Sequence, residues 1–175
     1  MKLLLMFLMM GSLLDAGEFT LASDTLKGQL TKQEEFNGFG CNGENRSPEL
    51  HWSHPPKGTK SFAITVFDPD APTGSGWWHW IVVNIPATVT HLPQDASAKH
   101  LLPKGAIETV TDYGKPGFGG PCPPKGDKPH RYIFTVYALD TDRLDVKPDT
   151  DSAHVGFLIN RHAIGKASLI SYYGR

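Results

Sequence analysis

Residues 61–86 read SFAITVFDPDAPTGSGWWHWIVVNIP. The first seven, SFAITVF, are apolar at nearly every position and rich in β-formers. A strand with one wet face alternates apolar and polar residues, so an unbroken run predicts a strand covered on both faces. WIVVNI, residues 80–85, has the same texture and stops at Pro86. RYIFTVYAL, residues 131–139, is a third run of this kind. Three such strands predict a layered, mainly β domain.

Working outward, residues 19–30 read as a first strand and turn, and residues 50–52 as a short strand. GFGCNGENRSP, residues 38–48, is a long loop between them. The polar, Gly- and Pro-rich stretch 86–130 is too long for a bare connection. A short strand of its own is expected at residues 107–110. One helix is convincing. Thr150 or Asp151 can cap it, and Ala153, Val155, Phe157, Leu158, Ile159 and Ile164 give it an apolar face. Gly165 is placed to end it, and SLISYY, residues 168–173, then reads as a last strand. The balance is mainly β, with one or two peripheral helices, one of them near the C-terminus.

The chain has 175 residues, 39% of them hydrophobic, which suits one domain with a packed core. Formal net charge is -1 and no basic run occurs, so nothing suggests a nucleic-acid partner. Residues 1–17 begin with Lys2 and an apolar run, Leu3 to Leu14, of signal-peptide length. That run is short for a membrane span, and no stable membrane anchor is expected. The expectation is a signal peptide over 1–17, one domain over 18–175, and a periplasmic or secreted protein, with a cytoplasmic one as the alternative. Cys41 and Cys122 are the only cysteines, each in a Gly-rich loop. In an exported chain they are expected to form one disulfide.

Two rigid loops carry the chemistry. In DPDAPTGSGWWHW, residues 68–80, Asp68 follows a buried strand and prolines stiffen the turn. His79 opens the next strand, within reach of Asp68 if the strands are neighbours. A carboxylate there would fix the imidazole's tautomer. Strand alternation puts Trp78 and Trp80 on one face, as packing, and His79 on the other. In GFGGPCPPKGDKPHRY, residues 117–132, glycines let backbone amides converge as a nest for an anion. His130 and Tyr132 share a face of the following strand, and Arg131 points away. The plainer alternative is that the aspartates cap turns, the histidines pack, and the glycines only serve the turn.

DPDAP, WWHWIVVNIP and GPCPPKGDKPHRYIFTVYAL, in that order, resemble the phosphatidylethanolamine-binding protein family, above all its bacterial Raf kinase inhibitor-like branch. NRSPELHW (45–52) and VGFLINRHAIGKASLISYY (155–173) fit the same pattern, so the resemblance runs from Phe19 to Tyr173. It implies a two-sheet antiparallel β-sandwich with a helix near the C-terminus and a small surface pocket for phosphate-type anions. Onto that pocket it carries Asp68, His79, Gly120, Pro123, His130 and Tyr132, with Asp70 at the edge or holding the loop. Tyr172 and Tyr173 are not carried over.

The function expected is a binding protein for phosphate or a phospho-headgroup. The resemblance also implies inhibition of a partner such as a kinase or protease. Homodimerisation stays open, and no cofactor is implied. One alternative is a phosphate-ester or lipid-headgroup hydrolase using His79 and His130 for acid–base work. Another is a metal site of Asp68, His79 and His130, suitable zinc ligands at a spacing that matches no common motif. No nucleophile motif is recognised, so catalysis is not the expected role.

Overall fold

Strands β3 (Ser61–Asp68) and β7 (His130–Leu139) lie side by side in the middle of a five-stranded antiparallel sheet. β4 (Trp77–Pro86) pairs with the other edge of β3, and the two-residue β6 (Ile107–Glu108) pairs with β4. Beyond β7 lies β8 (Ala163–Tyr173), giving the order β6-β4-β3-β7-β8. A smaller antiparallel sheet has β2 (Leu50–Ser53) between β1 (Thr20–Ala22) and β5 (His91–Leu92). The computed structural model describes residues 17–175, so nearly all of the expected signal peptide lies outside the described residues.

The all-apolar texture of β3 has its reason in two cores. On one face Phe62, Ile64 and Val66 join Trp80, Val82, Tyr132 and Phe134 against Leu50, Trp52 and Leu92 of the small sheet. On the other, Ala63, Ile81, Val83 and Leu139 lie beneath Val155 and Ile159 of helix α1 (Ser152–His162) and beneath Leu144 and Val146. Trp80 is wholly buried, and its Nε1 donates to Glu108 Oε1 at 2.7 Å. Truncating such a side chain to alanine costs about 3–5 kcal/mol.

Two bulges break the alternation of β4. Val66 pairs with Trp80 while Phe67 pairs with Trp78, which leaves His79 as an extra residue. Trp78 and Trp80 therefore fall on opposite faces, contrary to the sequence expectation: Trp80 in the core under the small sheet, Trp78 against Phe67 on the helix side. The second bulge sets Val83 and Asn84 opposite Ala63. Asn84 takes a left-handed φ of 61°, and its amide exchanges two hydrogen bonds with the backbone of Leu144.

Helix α1 is capped by Asp151, whose side chain accepts from His154 N at 2.9 Å. It is the only helix among the described residues and ends before the expected Gly165. Ala163 is already extended and pairs with Leu139, so strand pairing captures the chain two residues before the expected end at Gly165. Ile164 and Gly165 belong to β8, and Phe157 is 61% exposed. Gly165 serves a close approach, since a Cβ there would sit 2.6 Å from Pro56 Cγ.

Candidate functional site

The end of β3 and the starts of β4 and β7 meet around an open cavity of about 170 Å³. Asp68, His79, Pro123, His130 and Tyr132 line it, together with Phe39, Thr73, Trp77 and Tyr113. The volume is below the roughly 300–1,000 Å³ of pockets for drug-sized ligands, so a small headgroup suits it.

Asp68 is the hub. Its Oδ1 accepts from Asp70 N at 2.8 Å and Ala71 N at 3.1 Å, which folds the loop back on the strand end. Its Oδ2 accepts from His130 Nδ1 at 2.8 Å, and both side chains are buried. The carboxylate thus orients His130 and not His79, its sequence neighbour across the loop. Both oxygens of Asp68 are therefore engaged by donors of the protein itself.

His79 finds a different partner. Its Nδ1 lies 2.7 Å from Gly119 O, and a carbonyl can only accept, so Nδ1 carries the hydrogen. Burial drives its pKa down to about 4, although hydrogen bonding to Gly119 and the charge of Asp68 pull the other way. Near neutral pH the ring is therefore uncharged, with a bare lone pair on Nε2. Tyr113 and Tyr132 pack edge-on against it, with centroids at 5.6 and 5.1 Å. On His130, Nδ1 is held by Asp68, and Nε2 lies 3.5 Å from the half-exposed Asp127.

Tyr132 and Trp77 also line the cavity, and their Oη and Nε1 atoms are buried and have no hydrogen-bond partner. Burial raises the Tyr132 phenol well above its ordinary range, with the Asp68 charge adding to the effect, so it stays a donor. An unpaired buried donor costs about 1–3 kcal/mol, and two stand among the residues lining this cavity.

The glycine loop does not work as a nest. Phe118 N donates to Ser97 Oγ at 2.9 Å, Gly119 N to His79 O at 2.9 Å, and Gly120 N to Asn45 Oδ1 at 2.8 Å. Gly120 lies outside the cavity lining, and a Cβ on it would be 1.6 Å from Glu34 O. It permits a close crossing of two loops. Asp70 is also outside the lining. It accepts from Arg131 N, Nε and Nη2 at 2.8–2.9 Å, and the guanidinium holds its carboxyl well below the usual carboxylate range. Its role is to pin the loop to β7. Cys41 and Cys122 form a disulfide, with Cα atoms 6.0 Å apart, that ties the 38–48 loop to the cavity rim.

Sequence reasoning missed Phe39, Trp77 and Tyr113. Tyr113 stacks on Phe39 and donates its hydroxyl to Gly120 O at 2.7 Å. An isolated tyrosine in the long 86–130 connection was the one available signal.

A family model for phosphatidylethanolamine-binding proteins matches residues 26–174. The chain belongs to that family. It is 54% identical over 162 residues to the UPF0098 protein YbcL of Escherichia coli K12, covering 90% of this chain and 88% of the relative. The UPF0098 protein YbhB of the same organism is 50% identical, covering 83% and 92%. The crystal structure of E. coli YbcL, described as a new member of the mammalian PEBP family, superposes with a TM-score of 0.88 at 53% identity, over 91% of this chain and 99% of that one. The homologue CT736 from Chlamydia trachomatis gives 0.74 at 29% identity, over 90% and 97%. The family carries a ligand-binding fold, and that much of the expected role is established here.

Proposed function

We propose that the pocket binds a phosphate-type anionic group, as a free monoester or a phospho-headgroup, and that the protein works by binding. The observation that carries this is the pair of buried, unpartnered donors, Tyr132 Oη and Trp77 Nε1, beside two histidines whose Nδ1 atoms are both committed. Such donors serve phosphate oxygens at any ordinary pH. A monoprotonated phosphate can donate its own hydrogen to the bare Nε2 of His79. Asp127, beside His130 Nε2, offers an exposed carboxylate for the ammonium of a zwitterionic headgroup.

Binding is favoured over bond breaking because the nearest nucleophiles are occupied. Thr73 Oγ1 donates to Gly76 O at 2.5 Å, and Cys122 is in the disulfide. The disulfide also supports an oxidising compartment, periplasmic or secreted, for the mature protein. In that setting the occupied pocket would regulate a partner protein by contact, in the manner of an inhibitor of a kinase or protease. Calorimetric titration with sulfate, whose charge is fixed near neutral pH, tests the reading. Tyr132→Phe should weaken sulfate roughly tenfold or more, the worth of a hydrogen bond to a charged group. Unchanged affinity would remove the proposed donor set. Phosphate release from a monoester, lost in His130→Ala, would replace binding by hydrolysis.

A further inference from the structure

A second pair of histidines lies on the small sheet, away from the pocket. Glu49 and His51 are two residues apart at the start of β2, so they share a face while Leu50 between them is buried. His91 of β5 is paired in register with His51, and β1 ends just before Asp24. Asp24, Glu49 and His51 each offer a ligand atom, and these atoms lie within 4.8 Å of one another. His91 Nε2 lies 3.4 Å from Glu49 Oε1.

The geometry points to a divalent transition-metal site, of zinc type, formed by Asp24, Glu49 and His51, with His91 beside Glu49 as the fourth ligand once its ring turns in. Imidazole nitrogens with carboxylate oxygens are the donor set a borderline ion such as Zn²⁺ takes. Glu49 is already oriented for it. Oε2 accepts from Asp24 N at 2.7 Å, while Oε1 faces both imidazoles, His51 Nδ1 at 2.8 Å and His91 Nε2 at 3.4 Å. Ligand atoms on a tetrahedral ion at about 2.0–2.1 Å stand roughly 3.3 Å apart, so Asp24, Glu49 and His51 must draw together from within 4.8 Å, and the His91 ring must turn toward them. The histidine side chains are 41% and 54% exposed and free to move, while Glu49 at 12% stays fixed beneath them. Ligation through His51 Nδ1 leaves the ring's hydrogen on Nε2, and the ion takes the place of the hydrogen bond between Nδ1 and Glu49 Oε1.

Such an ion has a structural task. β1, β2 and β5 are three, four and two residues long, and the four ligands stand at one end of all three. The test is calorimetric titration of the full, untagged chain with ZnCl₂, together with thermal unfolding with and without the ion. One ion per chain is expected, with an unfolding midpoint that rises as zinc is added. His91→Gln and Glu49→Gln should each weaken binding by at least about tenfold. His51→Gln/His91→Gln should abolish both the binding and the thermal shift, while His79→Gln/His130→Gln leaves the stoichiometry intact. Absence of zinc binding in the wild type overturns the assignment. So does zinc binding that survives in the His51/His91 double variant or disappears in the His79/His130 one.

Discussion

The pocket and the small-sheet cluster are made of the same residue types, two histidines beside carboxylates, yet they differ in almost every physical respect. In the pocket each imidazole is 3% exposed, and each has one nitrogen fixed by a partner supplied from a distant loop or strand. On the small sheet the histidines are about half-exposed and lean on Glu49. The pocket carboxylate, Asp68, accepts from two loop amides and the buried His130, while Glu49 Oε1 lies between two half-exposed rings, His51 Nδ1 at 2.8 Å and His91 Nε2 at 3.4 Å. Residue type alone does not decide the sign of a ligand. What decides it is which atoms the fold has already committed, and whether the remaining ones are acceptors or donors.

The largest way to break the contrast is to open the disulfide. Cys41 and Cys122 are 81 residues apart, and closing a loop of that length stabilises by roughly 4 kcal/mol in the chain-entropy model. Replacing both by serine should lower stability by about that amount in urea unfolding and weaken sulfate binding at the rim. The zinc titration at the small sheet should not change. A comparable loss, about 3–5 kcal/mol, is expected for Asp68→Ala, which leaves His130 buried without its acceptor. Glu49→Gln, at a site near the surface, should stay within about 1 kcal/mol of wild type. Equal losses at the two carboxylates would erase the distinction drawn between them.

Acid sharpens it further. A histidine titrating near 6.5 when unfolded and near 4 when folded binds fewer protons in the native state between those values. Its contribution is therefore fully present above pH 6.5 and is lost as pH falls toward 4, at up to about 1.4 kcal/mol per pH unit. His79→Asn, whose amide can take the place of Nδ1, should flatten the stability profile over that window. A profile parallel to wild type would show that His79 is not held neutral. The smallest effect is expected from Trp77→Phe. A smaller aromatic ring remains but the indole N–H is gone, so sulfate should weaken severalfold with only a small change in stability. Equal sulfate affinity would take Trp77 out of the donor set.

Much of this was legible in the sequence, and the failures have physical causes. The three apolar runs became β3, β4 and β7 because a central strand advertises its two-sided burial in composition alone. His130, Arg131 and Tyr132 alternate as expected because no bulge intervenes. At His79 one does, and bulges are set by pairing with another strand, which local alternation cannot register. The helix ended early for the same reason, since the pull of β7 on Ala163 lies outside the helix's own sequence. Gly120 was noticed for its missing side chain, but the sequence could not tell a backbone turned toward a ligand from one pressed against Glu34. The partner of Asp68 was misjudged because nearness along the chain favoured His79, whereas pairing of β3 with β7 brings His130 to the carboxylate.

The strand order also says when the pocket can come into being. β3 and β4 are joined by the loop 69–76, and β7 pairs with β8 after a connection that includes α1, so each group closes through contacts near in sequence. The seam between them is the pairing of β3 with β7, whose partners, such as Phe67 and Ile133, are far apart in the chain. Long-range pairing of this kind forms slowly. Asp68 and His79 stand on one side of the seam and His130 and Tyr132 on the other. Ligand-binding competence should therefore appear in refolding no earlier than the last phase that buries Phe134, and a half-assembled molecule has no pocket to offer.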